Sequence, residues 1–298
     1  MRQGATRFTP AAGTQREPTR IGSLLLLPLV AWAFAFVVAP AAIMLTYSFL
    51  ERGTLGGVQW GAFTLENYAG VGDPVYLRII LRSIGYAALT TAICLAAGYP
   101  VAYLIGRFDA RWRNLLLMAV MVPFWTSFLI RTYAWVTILK SQGLLNSTLL
   151  ALGFISQPLD LLYTPGAVVV GLVYTFLPFM ILPIFTSVEK LDGALIEAAL
   201  DLGAGPVRAF SRVIVPLTAP GISAGVLLVF VPALGIYAVN DILGGGRVDM
   251  IGNIIENQIK GNARNWPFGA ALGTALLLTF GVAYYFVNRR QRVLEGRA

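Results

Sequence analysis

Few side chains in this sequence can do chemistry. The chain has no histidine and one cysteine, Cys94, which excludes imidazole base catalysis, histidine metal ligation and any intrachain disulfide. A single thiol inside an apolar run reads as packing. The run Gly244-Gly245-Gly246 beside Arg247 and Asp249 looks like part of a phosphate loop but lacks the G-x-x-x-x-G-K-[ST] order, and no such glycines precede Lys140, Lys190 or Lys260. The chain therefore cannot hydrolyse ATP through a P-loop, and nucleotide energy has to come from a partner. What remains is a handful of ionisable groups in or beside apolar segments, where a charge is costly and marks function by default. Arg131 is one. Asp241 is the other, with Tyr237 four residues before it and Asn240 adjacent; that spacing puts Tyr237 and Asp241 on one helical face if a helix persists there. The acids form no GxGD-like pair, so an intramembrane hydrolase finds no support.

The elements that position these groups are membrane spans. Of 298 residues 57% are hydrophobic and 12% charged, about half the charge of a soluble domain. The apolar residues fall in blocks long enough to cross about 30 Å of hydrocarbon. Six spans are predicted, at about 22–50, 79–106, 114–139, 165–188, 213–237 and 268–287. Residues 1–21, rich in Gly, Pro and Thr, are expected to be a disordered tail, and 288–298 a second tail. The first apolar block is too long for the core of a cleaved signal peptide, so it is read as an uncleaved span.

The connecting segments form two groups. The N-terminal tail, 107–113, 189–212 and the C-terminal tail carry 14 Lys or Arg, against 7 in 51–78, 140–164 and 238–267 with Arg82 added. The positive-inside rule then predicts both termini in the cytoplasm. Acidic residues split evenly, so basic flanks account for the net charge of +8 and no nucleic-acid partner is needed. Pro123, Pro178, Pro183, Pro216, Pro220 and Pro232 fall inside the later spans, and each can bend a helix where neighbours or a water-lined path take up the freed carbonyl.

The loop 189–212 carries the most information. In Ala194 to Leu202, Leu195, Ala198, Ala199 and Leu202 recur at i, i+3, i+4 and i+7, a short amphipathic helix; Gly203, Gly205 and Pro206 then end it. Glu197-Ala198-Ala199, three residues, Gly203, nine residues and Val213-Ile214-Val215-Pro216 resemble the EAA loop of ABC-importer inner-membrane permeases, EAA-x3-G-x9-I-x-L-P, with Val in place of Ile and of Leu. The resemblance implies an all-α membrane protein, a six-helix type I importer permease domain over 22–287, with a coupling helix in the loop. It also implies the partners: a second permease, an ATPase dimer that holds ATP and Mg²⁺ and contacts Glu197, an extracytoplasmic substrate-binding protein, and membrane lipid. No cofactor is expected in this chain. The bacterial inner membrane follows as its location, with no covalent chemistry.

Residues 121–139 (MVPFWTSFLIRTYAWVTIL) and 241–272 are similar to the spermidine and putrescine permeases, and in part to permeases for opines, thiamine and aminophosphonates. A polyamine path should offer carboxylates for ammonium groups and aromatic faces for cation–π contact. Asp241 and Tyr237 are the first candidates, followed by Trp125, Tyr133 and Trp135 around Arg131, and by Tyr174 and Phe179 about Pro178. Arg131 opposes a cation unless it snorkels or pairs, with Asp241 or Asp160 as partner. Glu256 is expected to meet the binding protein. A stand-alone ion-coupled transporter is the competing class, disfavoured by the EAA spacing and the scarcity of buried acids.

Overall fold

Apolar runs in lipid fold as helices because each backbone donor and acceptor must be satisfied within its own segment. The computed structural model describes residues 20–261 and 264–295; the expected disordered tail lies outside the described residues up to position 19. The first segment comprises α1 (Arg20–Ala33), a π-helical turn at Phe34–Val38 and α2 (Ala39–Ser48). After a loop with α3 (Glu66–Val71) comes α4 (Pro74–Arg107), then α5 (Ala110–Met121) and α6 (Phe128–Leu139). Past α7 (Leu144–Ala151), α8 (Pro165–Glu189) crosses unbroken. The chain continues through α9 (Gly193–Asp201), α10 (Pro206–Ala209), a π turn at Phe210–Ile214, α11 (Val215–Leu217) and α12 (Ala219–Gly235). It closes with α13 (Ala238–Gly244), α14 (Ile251–Lys260) and α15 (Trp266–Glu295).

Three helical segments are long and apolar enough to span as they stand: Leu27–Ser48, Pro74–Arg107 and Pro165–Glu189. Two predicted spans are broken. The third, expected as one rod over 114–139, bends by 91° between α5 and α6, where Val122–Trp125 tightens to a 3₁₀ turn and Thr126 and Ser127 take extended ψ of 154° and 132°. The fifth bends by 67° at Thr218, between α11 and α12. The sixth is apolar over Trp266–Gly281, and its backbone stays helical to Glu295, through most of the stretch expected as a tail.

Prolines bend only some of these helices. Pro178 and Pro183 lie inside the continuous α8, so the kink expected at Pro178 is not a break. In contrast, both π turns end two residues before a proline, Pro40 and Pro216. A proline ring crowds the carbonyl four residues back and supplies no N–H, and the widened turn absorbs the displaced carbonyl.

A second departure from the all-α expectation lies outside the spans. Leu50–Arg52 (β1) and Val58–Phe63 (β2) form an antiparallel hairpin. The Asn67 amide donates to the carbonyls of Ser48, at 3.1 Å, and Leu50, at 2.9 Å.

Helices α4, α8 and α12 pack together as the buried centre, with Cys94, Ala102, Leu172, Met180, Ile184 and Val229 inside it. In lipid, close packing and small residues hold helices together rather than water exclusion. Gly221 and Gly225, spaced as G-x-x-x-G, lie where α12 crosses α8. A Cβ on Gly221 would fall on the Pro183 carbonyl and the Ser187 hydroxyl, and one on Gly225 would come within 2.7 Å of Met180 Sδ. α15 packs on α2, α3 and α14, and α13 on α8 and α6.

Among the described residues, contacts tie together connecting segments of the same group at each end of the bundle. Arg113 pairs with Glu189 at 3.1 Å, tying the start of α5 to the end of α8. At the other end Gly57 N–H donates to the Arg264 carbonyl at 2.8 Å, and Tyr163 N–H to the Leu243 carbonyl at 3.0 Å.

Gly221→Ala is expected to destabilise the α8–α12 crossing by about 1–3 kcal/mol, the usual range for overpacking. Gly85→Ala, where an added Cβ meets nothing within 4 Å, is expected to be neutral or slightly stabilising. Thermal unfolding midpoints of the purified variants check both.

Candidate functional site

Two regions collect the residues singled out by their chemistry, one at each end of the helical bundle.

The first is the amphipathic helix between the fourth and fifth spans. Asp192 accepts from Ala194 N–H at 3.0 Å and so caps α9, its charge also favoured by the helix dipole. The helix ends as Ala204 N–H reaches the Ala199 carbonyl at 3.1 Å and Gly203 takes φ +82°, a left-handed conformation that glycine adopts without strain. Pro206 then opens α10 at its first turn. Glu197 and Ala198 are exposed, Ala199 is half-buried, and Leu202 is 89% exposed. The apolar residues of this helix therefore have little cover from the chain itself.

The helix is wired to the bend in the fifth span. Phe210, at the start of the π turn, stacks edge-on against Tyr99 and Tyr103 of α4, centroids 5.4 and 6.2 Å apart. At the bend the Thr218 hydroxyl donates to the Ile214 carbonyl at 2.9 Å and lies 2.9 Å from the Tyr99 hydroxyl. A threonine has one proton to give, so Tyr99 is the donor between the two hydroxyls.

The second region lies past the far end of α12. The helix stops at Gly235, and Tyr237 starts α13, with Asp241 N–H bonded to the Tyr237 carbonyl at 2.9 Å. The expected i, i+4 relation holds, on a new helix rather than on a continued span. Asn253 of α14 binds both: its side-chain amide donates to the Asp241 carboxylate and, at 3.2 Å, to the Tyr237 carbonyl. Asn240, 1% exposed, donates to Asn253 Oδ1 at 2.5 Å and to the Val248 carbonyl at 2.6 Å. α14 is itself held to α4, where Ser83 Oγ accepts from Ile251 N–H at 2.8 Å. Desolvation pushes the Asp241 carboxyl above its ordinary value; the Asn253 bond opposes this, the Glu256 charge adds to it and the Lys260 charge lowers it. Asp241 thus takes up a proton earlier on acidification than a free aspartate.

Glu256, expected on the binding-protein surface, pairs with Lys260 at 3.4 Å. The Lys260 ammonium is 5.0 Å from the Tyr237 ring centroid and 3.4 Å from its hydroxyl. Asn253, Glu256 and Lys260 went unnoticed as a set in the sequence, although their i, i+3, i+7 spacing is a polar helical stripe.

The remaining candidates are not gathered there. Trp125 and Tyr133 are 81% and 58% exposed around the α5–α6 break. Trp135 packs edge-on against Tyr174 at 5.6 Å, and Phe179 against Phe124 at 5.4 Å. Arg131 pairs with neither Asp241 nor Asp160. Its guanidinium lies 4.6 Å from the Phe124 ring centroid, and Asp160 accepts from Ser141 at 3.4 Å instead.

A helical bundle with two broken spans and an uncovered helix ahead of the fifth is the architecture of a polytopic membrane protein. The chain belongs to the family of binding-protein-dependent transport system inner membrane components, which matches residues 97–297; it is a multi-pass inner-membrane permease subunit and not the ATPase. Among its relatives is the spermidine/putrescine transport system permease protein PotB of Salmonella typhimurium (strain SL1344), 42% identical over 282 residues that cover 95% of this chain and 98% of the relative. PotB of Escherichia coli (strain K12) is 43% identical over 273 residues, 92% and 98% of the two chains. The fold matches a bacterial alginate ABC transporter solved with an alginate pentasaccharide-bound periplasmic protein, at a TM-score of 0.74 and 18% identity over 92% of this chain and 94% of that one.

Asn253→Leu removes the donor shared by Asp241 and Tyr237 and leaves Asn240 without its side-chain partner. It is expected to loosen α13 from α14 at a cost of about 1–3 kcal/mol, read as faster tryptic cleavage after Arg247 in the purified protein.

Proposed function

We propose that this chain is a permease subunit of an ABC importer for spermidine and putrescine. The observation that carries the substrate is the 42–43% identity to two PotB permeases over more than nine-tenths of either chain. In this reading a second permease completes the pathway and two copies of an ATPase subunit, which bind ATP and Mg²⁺, dock on the permease pair. An extracytoplasmic binding protein delivers the polyamine. The basic segments face the cytoplasm, with both termini on that side, and the hairpin and α13–α14 face outward.

The physical logic runs along the chain. Glu197, Ala198 and Ala199 sit against the ATPase, and Gly203 provides the turn. When the ATPase dimer closes, α9 moves as a unit, and the contacts of Phe210 and Thr218 with Tyr99 and Tyr103 pass the displacement to the Thr218 bend. α12 then rocks against α8 and shifts Tyr237 and Asp241 at its outer end, the alternating exposure that broken-span transporters use. Asp241 holds one ammonium group and the Tyr237 face another, with Trp135 and Tyr174 packing methylenes further in; Trp125 and Tyr133 line the permease–permease or lipid side. Glu256 borders the mouth near the binding protein.

The experiment is purification of the tagged chain from its host under gentle solubilisation, followed by uptake of radiolabelled spermidine and putrescine. A Walker-motif ATPase and a second permease are expected to co-purify; recovery of the chain alone, under conditions that keep another ABC importer intact, overturns the assembly. Glu197→Lys and Gly203→Val are expected to lower uptake at least about 10-fold while membrane insertion, measured by immunoblot of membranes, is unchanged.

A further inference from the structure

We propose that Lys260 is a tethered occupant of an ammonium site at the outer mouth, and that a substrate gains this site by displacing it, a threshold that an amine with a second ammonium for Asp241 clears and a monoamine does not. The inference rests on the reading of Tyr237 and Asp241 as substrate contacts and adds to it a residue that sets this threshold.

The Lys260 ammonium is chemically a protonated primary amine, the same group that ends putrescine and spermidine. It occupies what such a group needs: an aromatic face with its centroid at 5.0 Å, a hydroxyl at 3.4 Å and a carboxylate oxygen at 3.4 Å. These partners hold its proton more firmly than in a free lysine, with the Tyr237 hydroxyl the largest contributor and Glu256 next. Nothing locks it in. The side chain is 63% exposed and stands in the last turn of α14, before Gly261, so it can swing outward without disturbing the helix.

The charges around it do not balance. Two carboxylates, Asp241 and Glu256, border Tyr237. Lys260 pairs with Glu256, while among the described residues no Lys or Arg lies within ion-pairing distance of Asp241, whose partner is the neutral Asn253 amide. The mouth therefore holds one resident cation and one carboxylate without a cation. A monoamine that displaces Lys260 exchanges like for like against a competitor whose tether keeps its local concentration high. A diamine makes the same exchange and adds a second ammonium at Asp241. Discrimination then follows from the number of charges rather than from shape.

The test uses the complete importer reconstituted in proteoliposomes with its liganded binding protein, with labelled putrescine as substrate and n-butylamine as competitor. Competition at the binding protein is common to all variants and cancels in their ratio. Lys260→Gln is expected to let n-butylamine inhibit at about 3- to 10-fold lower concentration than in the parent, the range for losing an exposed ion pair and one cation–π contact. A second readout needs no variant: labelling of Lys260 by a membrane-impermeant amine reagent is expected to speed up when putrescine is present, because the displaced amine is no longer held protonated. Unchanged n-butylamine sensitivity in Lys260→Gln, or Lys260 labelling indifferent to putrescine, overturns the proposal. Asp241→Asn and Tyr237→Leu separate the two levels. If both transport putrescine as the parent does, the substrate-contact reading fails; if they are impaired while Lys260→Gln behaves as the parent, only the role of Lys260 fails.

Discussion

In hydrocarbon a backbone carbonyl without a partner has no water to turn to, and every bend in this molecule is built around that constraint. At the fifth-span bend the Thr218 hydroxyl serves the carbonyls of Ile214 and Val215, at 2.9 and 3.2 Å. At the third-span break Thr126 Oγ1 reaches the Pro123 carbonyl at 2.7 Å, and in the first turn of α12 Ser223 reaches that of Pro220 at 2.9 Å. A side-chain hydroxyl beside a proline accompanies these bends, yet Thr186 bonds the Pro183 carbonyl at 2.9 Å within the unbroken α8, so the hydroxyl alone does not bend a helix. Where neither the turn nor the packing yields, as at Pro178 and Pro183 in α8, the helix runs on.

α8 is buried along much of its length and gripped by α12 through Gly221 and Gly225. The segment from α9 to α13 is jointed at Gly203, at the Phe210–Ile214 π turn, at Thr218 and at Ile236, where ψ of 125° separates α12 from α13. Tyr99 touches two of those joints, one through the Phe210 ring and one through the Thr218 hydroxyl. In the proposed importer the same jointed segment carries the ATPase contact at one end and the substrate contact at the other.

The α13–α14 end of the bundle is held differently, by amides. Asn240 and Asn253 bond to each other and to neighbouring backbone and carboxylate groups, positioning Asp241 without neutralising it. A neutral donor lowers the cost of burying part of a carboxylate yet leaves its charge available to a cation.

Much of this was legible in one dimension, and the reason is periodic. Long apolar blocks specify helices of membrane length, basic flanks group the loops by side, and the spacing from Glu197 to Pro216 specifies an exposed helix followed by a turn. Those signals are local, carried by residues within one or two turns of each other. The 91° bend at Val122–Ser127, the persistence of α8 through two prolines and the placement of Lys260 against the Tyr237 ring were decided only by the tertiary structure. Whether a proline breaks a helix depends on the neighbours packed around it. Likewise, the start of α14 is fixed on α4 by Ser83, 168 positions away, which bonds Ile251; a contact at that separation leaves no period in the sequence to read.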